Sequence, residues 1–350
     1  MTRFEWRGVM LDVARHFFGV DEVKRFVDVI ARFGFNRLHL HLTDDQGWRI
    51  EIESWPRLAE VGGASEVGGG AGGFYTRRDY AEIVEHAASR DVVVVPEIDV
   101  PGHVNAAVVA YPELSLRGLD TVPYTGTDVG FSCLDVTNER VHEFVDDVLR
   151  ELAELTPGPY LHIGGDEVFK IPREHYVSFV EHVCARVRAH GKQPVGWEEI
   201  AQTTLEPGTI VQHWKDPAHA KEAVRQGARV VMSPGERTYF DHKYDDTTEL
   251  GTQWAGHVSV RDAYEWDPET QVEGVTEADV AGVEACLWTE TMATFADVEY
   301  MAFPRLLALA EVATTQPAHR SWADFERRLP AQLAILDELG VTYFQPKRSP

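Results

Sequence analysis

Short apolar runs alternate with longer amphipathic stretches along the chain. The runs are rich in β-branched residues, are bounded by turn-forming residues, and cover residues 8–13, 37–42, 92–98, 160–163, 194–197, 209–213, 228–232 and 282–287. Strands that alternate with helical stretches are typical of βα units around a parallel sheet. Eight such units close a (β/α)8 barrel, so the sequence predicts an α/β fold of the TIM-barrel type.

The stretches between the runs have the periodicity of helices that pack on a sheet. One face of each is apolar: Val23, Phe26, Val27 and Ile30 in residues 20–33, and Tyr80, Ile83, Val84 and Ala87 in residues 79–89. This spacing predicts outer helices, with Asp21 and Thr76 near their starts. Residues 235–273 carry many aromatic and acidic residues with little helical periodicity. We therefore expect irregular late helices and a long loop over the barrel mouth.

Composition narrows the class of protein. The chain has 350 residues, of which 44% are hydrophobic and 26% charged, and no linker or repeat divides it, so we expect one catalytic domain over residues 1–350. The formal net charge of -24 argues against nucleic-acid and membrane partners. Cys133, Cys184 and Cys286 lack the spacing of a disulfide framework or a zinc knot, so we expect free thiols.

The start of the chain bears on location. Residues 1–6 lack the charged-then-apolar layout of a secretory signal, and no apolar run approaches the roughly 20 residues that span a bilayer. As written, the sequence predicts a cytoplasmic protein. A signal removed from its start would make it a secreted one.

Polar and aromatic residues collect where the predicted strands end. They are Asp12, Arg15, His16, His39, His41, Asp44, Asp45, Glu97, Asp99, His103, Asp166, Glu167, Trp197, Glu198, Glu199, His213, Trp214, Trp288 and Glu290. In a TIM barrel the carboxyl ends of the strands carry the active site. The sequence therefore predicts an enzyme whose chemistry lies at this end.

Two neighbouring carboxylates, Asp166 and Glu167, follow two glycines at the end of the fourth run. Glycine frees the backbone from strict alternation, so both side chains can reach the mouth. Most retaining glycosidases place two carboxyl groups about 5 to 5.5 Å apart on either side of the sugar, which adjacent residues cannot easily do. A substrate with a 2-acetamido group can supply the nucleophile itself. Trp197, Trp214 and Trp288 at other strand ends offer apolar faces for its methyl group.

Five segments resemble the family 20 glycoside hydrolases, the β-N-acetylhexosaminidases, in the order found in that family. They are RGVMLDVARH at residues 7–16, HLHLTDDQGW at 39–48, PEIDVPGH at 96–103, HIGGDE at 162–167 and EACLWTE at 284–290. The resemblance covers nearly the whole chain. It implies a retaining exo-β-N-acetylhexosaminidase that acts by substrate-assisted catalysis on N-acetylhexosamine-terminated oligosaccharides or glycoconjugates, without a cofactor or a metal.

The resemblance also implies roles for single residues. Glu167 would act as general acid and then base, and Asp166 would orient the acetamido group. The substrate-binding residues would be Arg15, Trp197, Trp214, Tyr239, Asp241, Trp254, Trp288 and Glu290. Tyr239 would bond the acetamido oxygen. Asp44 and His103 would form a pair that helps to hold Glu167 in place and to tune its acidity.

Two features depart from the family. Members usually carry a separate α/β domain before the barrel, which is absent from these 350 residues, and Thr314 stands where a tryptophan is common. Neither departure touches the proposed acid.

Two other functions stay open at this point. His39 and His41 form an HxH pair, which is typical of metal-dependent amidohydrolases. A sugar-binding barrel without catalysis is the second alternative, although decay would be expected to remove one of the paired carboxylates. The preference for gluco or galacto sugars, the linkage and the oligomeric state are not set by the sequence.

Overall fold

The computed structural model describes residues 2–345. Its strands are β1 Trp6–Asp12, β2 Arg37–His41, β3 Val93–Glu97, β4 Tyr160–His162, β5 Gln193–Trp197, β6 Ile210–His213, β7 Arg229–Met232 and β8 Val280–Leu287. They are parallel and pair in chain order, and β8 pairs with β1 to close the barrel. The predicted (β/α)8 fold is confirmed, and each predicted strand begins and ends within two residues of the observed one.

Helices surround this barrel. They are α1 Val20–Arg32, α2 Arg77–Ala88, α3 Asn105–Ala110, α4 Glu139–Leu155, α5 Arg173–Ala189, α6 Pro217–Arg225, α7 Gly235–Thr238, α8 Phe295–Ala302, α9 Arg305–Thr314 and α10 Trp322–Glu338. Short 3-10 or π turns occupy Leu58–Gly62, Val67–Gly69, Pro112–Leu114, Glu198–Gln202 and Pro317–His319. Among residues 2–345, no helix combines the length and apolarity needed to cross a membrane.

The helix starts follow local capping chemistry. The Thr76 hydroxyl accepts a hydrogen bond from the backbone N–H of Asp79, whose carboxylate accepts the Thr76 N–H in return, so the predicted start at Thr76 is confirmed. The prediction that Asp21 lies near the start of α1 is also confirmed, although Asp21 is not the cap. Gly19 is the cap, and its N–H donates to Glu22 Oε2 at 2.7 Å. Asp21 instead lies in the first turn, where its charge favours the positive end of the helix dipole.

The barrel interior changes from apolar to polar along its axis. At the amino end of the strands Trp6, Val95, Val195, Ile210 and Val231 pack together. Higher up, buried polar residues replace them, among them His39, Glu97, Gln212 and Glu284. A Cβ on Gly8 would lie 2.0 Å from Glu284 Oε2, so glycine at this position makes room for the carboxylate. The barrel interior beneath the mouth therefore contains buried polar side chains as well as packed apolar ones.

The late part of the chain is irregular, as predicted. Between β7 and β8 the only helix in the described chain is the four-residue α7, and the segment then crosses the mouth in turns. Arg305, fully buried at the start of α9, donates to the carbonyls of Phe240, His242 and Val258 in this segment and to that of Met301. One side chain thus fixes the loop that carries several predicted site residues.

Two smaller predictions concern single side chains. Cys133, Cys184 and Cys286 are buried free thiols, as expected. Thr314, the residue that departs from the family pattern, ends α9, and its hydroxyl donates to the Ala310 carbonyl at 2.7 Å. The helix therefore ends without an aromatic side chain at this position.

Candidate active site

A cavity of about 420 Å³ opens at the carboxyl ends of the strands. Eleven of the twelve predicted site residues line it: Arg15, Asp44, His103, Asp166, Glu167, Trp214, Tyr239, Asp241, Trp254, Trp288 and Glu290. The twelfth, Trp197, lies buried beneath the lining, with its ring 5.7 Å from that of Trp288. The fold therefore brings together side chains from the segments that follow seven of the eight strands.

The backbone around Asp166 and Glu167 is left-handed at three of four consecutive residues. Gly164 has φ +65°, Gly165 has φ +97°, and Glu167 has φ +50°. A Cβ on Gly164 would lie 1.8 Å from Asp99 Oδ1, so this glycine is required for close approach as well as for its conformation. At Glu167, which is not a glycine, this conformation costs about 1–2 kcal/mol. Because of this turn both carboxylates face the cavity, as the sequence predicts.

His103 joins the paired carboxylates to a third. Its Nε2 lies 3.5 Å from Glu167 Oε2 and 3.6 Å from Asp166 Oδ2, and its Nδ1 lies 3.2 Å from Asp44 Oδ1. Burial opposes a charge on this imidazole, but the carboxylates of Asp44 and Asp166 outweigh it and raise the pKa of His103 well above 6.5. His103 is therefore a cation held between the carboxylate pair and Asp44. Arg15 also contacts Asp44, at 2.8 Å.

A second buried carboxylate, Asp99, lies behind Asp166. Burial and the negative charge of Asp166 raise the pKa of Asp99 well above its usual range, and its Oδ1 accepts the Gly165 N–H at 3.0 Å. Burial also raises the pKa of Asp166 to about 6, an effect that His103 opposes and Glu167 reinforces. The sequence places Asp99 at a strand end but gives it no role. Its effect depends on the side chain lying against the left-handed turn, which the sequence pattern does not show.

Glu97 connects the floor of the cavity to Asp44. Its Oε1 accepts the indole N–H of Trp197 at 2.8 Å, and its Oε2 lies 2.9 Å from His39 Nε2 and 2.5 Å from His41 Nδ1. His41 Nε2 lies 2.8 Å from Asp44 Oδ2. A continuous chain of buried hydrogen bonds therefore runs from Trp197 through Glu97, His41 and Asp44 to His103, whose Nε2 lies within ion-pair distance of the paired carboxylates.

This chain accounts for the HxH pair. Both ring nitrogens of His39 face carboxylates, Glu284 on one side and Glu97 on the other, and both nitrogens of His41 do the same with Glu97 and Asp44. Burial alone would lower the pKa of His39, but these charges raise it to about 9, and that of His41 also rises. A ring nitrogen that donates to a carboxylate has no lone pair to offer a metal. The HxH pair is part of the hydrogen-bonded floor, beneath the cavity rather than in its lining.

Arg15, Asp241 and Glu290 form the charged end of the cavity. Burial, together with the nearby Glu290 charge, raises the pKa of Asp241 well above its usual range, and burial also raises that of Glu290. Within the described residues Asp241 Oδ1 and Glu290 Oε2 are buried without a hydrogen-bond partner. Buried polar atoms are nearly always paired, so these two point to a polar ligand.

Aromatic rings form the remaining wall. Trp214 and Tyr239 are nearly parallel, with centroids 6.2 Å apart and an angle of 10°. Trp254 meets both edge-on and is 52% exposed, which places it at the rim. Trp288 lies over Trp197, and its indole N–H has no partner in the described part of the chain. The wall offers flat apolar faces together with one free donor, which suits a sugar ring with an apolar substituent.

A closed barrel whose mouth joins two adjacent carboxylates to a tryptophan-lined cavity defines an enzyme that hydrolyses carbohydrates. Comparison with known proteins agrees. The model of glycosyl hydrolase family 20, catalytic domain, matches residues 4–317. The chain belongs to this family and is a glycoside hydrolase, as the sequence resemblance predicts.

Relatives and solved structures support the assignment. A beta-N-acetylhexosaminidase of Cellulomonas fimi is 50% identical over 97% of this chain and 69% of its own length. A beta-hexosaminidase of Porphyromonas gingivalis is 36% identical over 98% of this chain, which spans only 47% of that relative. Among solved structures, the family 20 beta-N-acetylhexosaminidase of Streptomyces coelicolor A3(2) superposes with a TM-score of 0.97 and 47% identity, covering 100% of this chain and 72% of that one. A mutant Streptomyces plicatus beta-hexosaminidase in complex with its product GlcNAc gives 0.96 and 48%, covering 100% and 71%.

Proposed function

We propose that this chain is a retaining exo-β-N-acetylhexosaminidase whose nucleophile is the acetamido oxygen of its own substrate. The observation that carries the proposal is the arrangement of Asp166 and Glu167, which line one cavity as chain neighbours, joined through His103. The aromatic side chains Trp214, Tyr239 and Trp288 line the same cavity. Because chain neighbours cannot easily flank a sugar ring, the substrate amide takes the place of an enzyme nucleophile.

Glu167 acts as the acid in this scheme. It gives its proton to the glycosidic oxygen while the acetamido oxygen attacks the anomeric carbon from the other face. Glu167 then removes a proton from the water that opens the cyclic intermediate, which restores the original configuration. His103, 3.5 Å from Glu167, keeps the carboxylate oriented during both steps.

Asp166 acts on the amide. Its Oδ1 is buried without a hydrogen-bond partner in the described residues, so it is free to accept the acetamido N–H. A carboxylate there stabilises the positive charge that develops as the amide oxygen attacks. Tyr239, whose pKa is raised well above its usual range by burial, stays a neutral phenol and donates to the amide oxygen. Trp214 and Trp288 enclose the methyl group, and Trp197 supports Trp288 from below.

The charged end of the cavity explains exo action. Arg15, Asp241 and Glu290 bind hydroxyl groups of the terminal sugar, since Asp241 Oδ1 and Glu290 Oε2 are buried acceptors without a protein partner in the described chain. Hydrogen bonds from the charged Arg15 guanidinium are of the strong, orienting kind. A sugar chain cannot extend past these three residues, so the enzyme removes terminal N-acetylhexosamine residues from oligosaccharides or glycoconjugates.

Two substitutions test the roles. Glu167→Gln is expected to reduce kcat on N,N′-diacetylchitobiose about 10²- to 10⁴-fold, the usual range for a positioned acid. The loss is expected to be smaller on an aryl N-acetylglucosaminide, because its leaving group needs less protonation. Asp166→Asn is expected to slow both substrates alike. Glu174→Gln, at an exposed carboxylate of α5, is the matched control.

Two results would contradict the scheme. If the Glu167→Gln variant hydrolysed the disaccharide at the parent rate, Glu167 would not be the general acid. Sugar binding by the parent protein without any release of product would instead indicate a binding barrel.

A further inference from the structure

A buried imidazole beside the charged end of the cavity has no hydrogen-bond partner. His242 is fully buried, and in the part of the chain that the structure describes neither of its ring nitrogens makes a hydrogen bond. Buried polar groups are paired in the great majority of cases, and an unpaired one lowers the stability of the fold. Packing alone therefore does not explain a histidine at this position.

The surroundings of His242 bring one carboxylate close to the ring. The Trp254 ring lies edge-on to the imidazole, with centroids 4.8 Å apart, and the Tyr239 ring lies 6.1 Å away. His242 Nε2 lies 3.9 Å from Asp241 Oδ2, and within residues 2–345 no other basic side chain comes within 4 Å of this carboxylate. Aromatic faces are weak partners for an N–H, so Asp241 is the strong acceptor that a small movement brings within reach.

The backbone is held on both sides of the Asp241 side chain. Arg305 donates to the His242 carbonyl at 2.7 Å, and the Asp241 carbonyl accepts the Thr252 N–H at 2.9 Å. The His242 N–H donates to the Tyr239 carbonyl at 3.2 Å, so the chain turns here and brings the imidazole beside the carboxylate. Rotation of the two side chains is therefore the movement that can close the gap between Nε2 and Oδ2.

The Asp241 carboxylate has few donors of its own. Its Oδ2 accepts the Thr252 hydroxyl at 3.0 Å, and its Oδ1 has no partner among the described residues. Burial, together with the nearby Glu290 charge, raises the pKa of Asp241 well above its usual range, so the ionised form is disfavoured. Hydrogen bonds to a carboxylate favour its ionised form. A second donor on Oδ2 would therefore make Asp241 a better acceptor for a sugar hydroxyl.

His242 can supply that donor without adding a charge. Burial lowers the pKa of His242 to about 4, and the positive charge of Arg305 adds to this effect, so the ring is neutral and carries one N–H. Since Nδ1 has no partner in the described chain, nothing there opposes a proton on Nε2, the nitrogen close to Asp241. The contact is then a hydrogen bond from a neutral donor to a carboxylate.

We propose that His242 is a positioning residue for sugar binding: its Nε2–H bonds Asp241 Oδ2 and holds the carboxylate ionised, with Oδ1 turned toward a hydroxyl group of the terminal sugar. The inference rests on the proposed function, since it takes Asp241 as a sugar-binding residue. The two atoms are 3.9 Å apart in the structure, so the bond forms as the sugar binds. His242 touches neither the sugar nor the reacting atoms and acts through Asp241.

The test combines two variants with a series of sugars. An aryl β-N-acetylglucosaminide has free hydroxyl groups at positions 3, 4 and 6, and three deoxy substrates each lack one of them. His242→Leu is expected to lower kcat/KM on the full substrate roughly tenfold, mainly through KM. On the deoxy substrate that lacks the hydroxyl bound by Asp241, the same change is expected to cost less than about twofold. His242→Gln, which keeps an N–H donor, is expected to stay within about threefold of the parent.

Thermal stability separates this role from a structural one. Leucine leaves no unpaired polar atom, so His242→Leu is expected to keep or raise the Tm while activity falls. His242→Met is a second apolar variant with a more adaptable side chain. His142→Leu is the matched control, because His142 is a half-buried imidazole on the outer helix α4 whose Nδ1 likewise has no partner in the described residues. It is expected to leave kcat/KM at the parent value on all four sugars.

Several results would overturn the proposal. An unchanged kcat/KM in both apolar variants, or equal losses on the full substrate and all three deoxy substrates, would show that His242 does not act through Asp241. A His242→Gln variant as slow as His242→Leu would show the same. These results would leave the proposed function in place. A parent enzyme that cleaves none of the four sugars would instead overturn the proposed function, and this inference with it.

Discussion

Replacing Glu97 by glutamine removes one negative charge from the buried floor while preserving its shape. Glu97 is fully buried and lies within hydrogen-bond distance of Trp197, His39 and His41. In the variant the amide oxygen can still accept the Trp197 N–H. The amide nitrogen, however, then faces the two imidazoles, which must become neutral to accept from it.

The expected cost in stability follows from this broken charge arrangement. Removing one partner of a buried ionic group typically costs about 3–5 kcal/mol. Unfolding entropy near 2.1 cal/mol/K per residue gives, for 350 residues, a Tm lower by about 4–7 °C. Replacing a charge-assisted bond to Trp197 by a neutral one costs about 1 kcal/mol, so KM for an N-acetylglucosaminide is expected to rise about fivefold.

The pH dependence gives a sharper readout. The pKa of His39 in the folded protein is raised from 6.5 to about 9, so its contribution to stability, about 3 kcal/mol, is fully present below pH 6.5 and is lost as the pH rises through 9. Thermal melts of the parent between pH 6 and 9.5 are expected to show this decline. Without Glu97 the His39 pKa falls, and the decline flattens.

A matched control separates position from destabilisation. Glu151 is also a buried carboxylate with several donors, but it lies on the outer helix α4. Glu151→Gln is expected to lower Tm without changing KM. If Glu97→Gln left KM and the pH profile of stability at parental values, the chain from Trp197 to Asp44 would have no role in shaping the site.

Three further predictions follow from the same structure. The pKa of Asp166 is raised to about 6, so kcat/KM of the parent is expected to fall as the pH drops below about 6. In Glu167→Gln one of the charges that raise this pKa is gone, so the midpoint of the fall in residual activity is expected to shift to a lower pH. An unchanged midpoint would show that the fall does not report the ionisation of Asp166. Arg305→Met is expected to cost about 3–5 kcal/mol in urea unfolding, since four loop and helix carbonyls lose their buried donor; a change below 1 kcal/mol would show that the loop does not depend on it. Dialysis against a chelator is expected to leave kcat unchanged, because His39 and His41 are bound to carboxylates; a loss restored by added metal would favour an amidohydrolase.

The barrel could be predicted from the sequence because its strands are short, apolar and regularly spaced. The paired glycines before Asp166 also indicated an unusual turn, and Gly164 and Gly165 both have left-handed backbone conformations in the structure. Local signals were sufficient for these features. They did not identify the cap of α1, which is Gly19, whose N–H donates to the Glu22 side chain.

The supporting network could not be predicted because it depends on contacts between strands. His41 pairs with Glu97 in the register of β2 and β3, and Glu97 reaches Trp197 on β5. Each of these residues alone is an ordinary polar or aromatic residue at a strand end. Trp197 was expected in the cavity wall, but its hydrogen bond to Glu97 holds it one layer below, where it supports Trp288.

The requirement for the substrate's amide is the central claim, and one pair of rates tests it. The kcat/KM values for an aryl β-N-acetylglucosaminide and for the matching aryl β-glucoside, which has a 2-hydroxyl in place of the acetamido group, should be measured on the same enzyme. Without the internal nucleophile the glucoside is expected to react at least about 10³-fold more slowly, since a well-placed intramolecular group contributes that much or more. Comparable rates on the two substrates would contradict the mechanism.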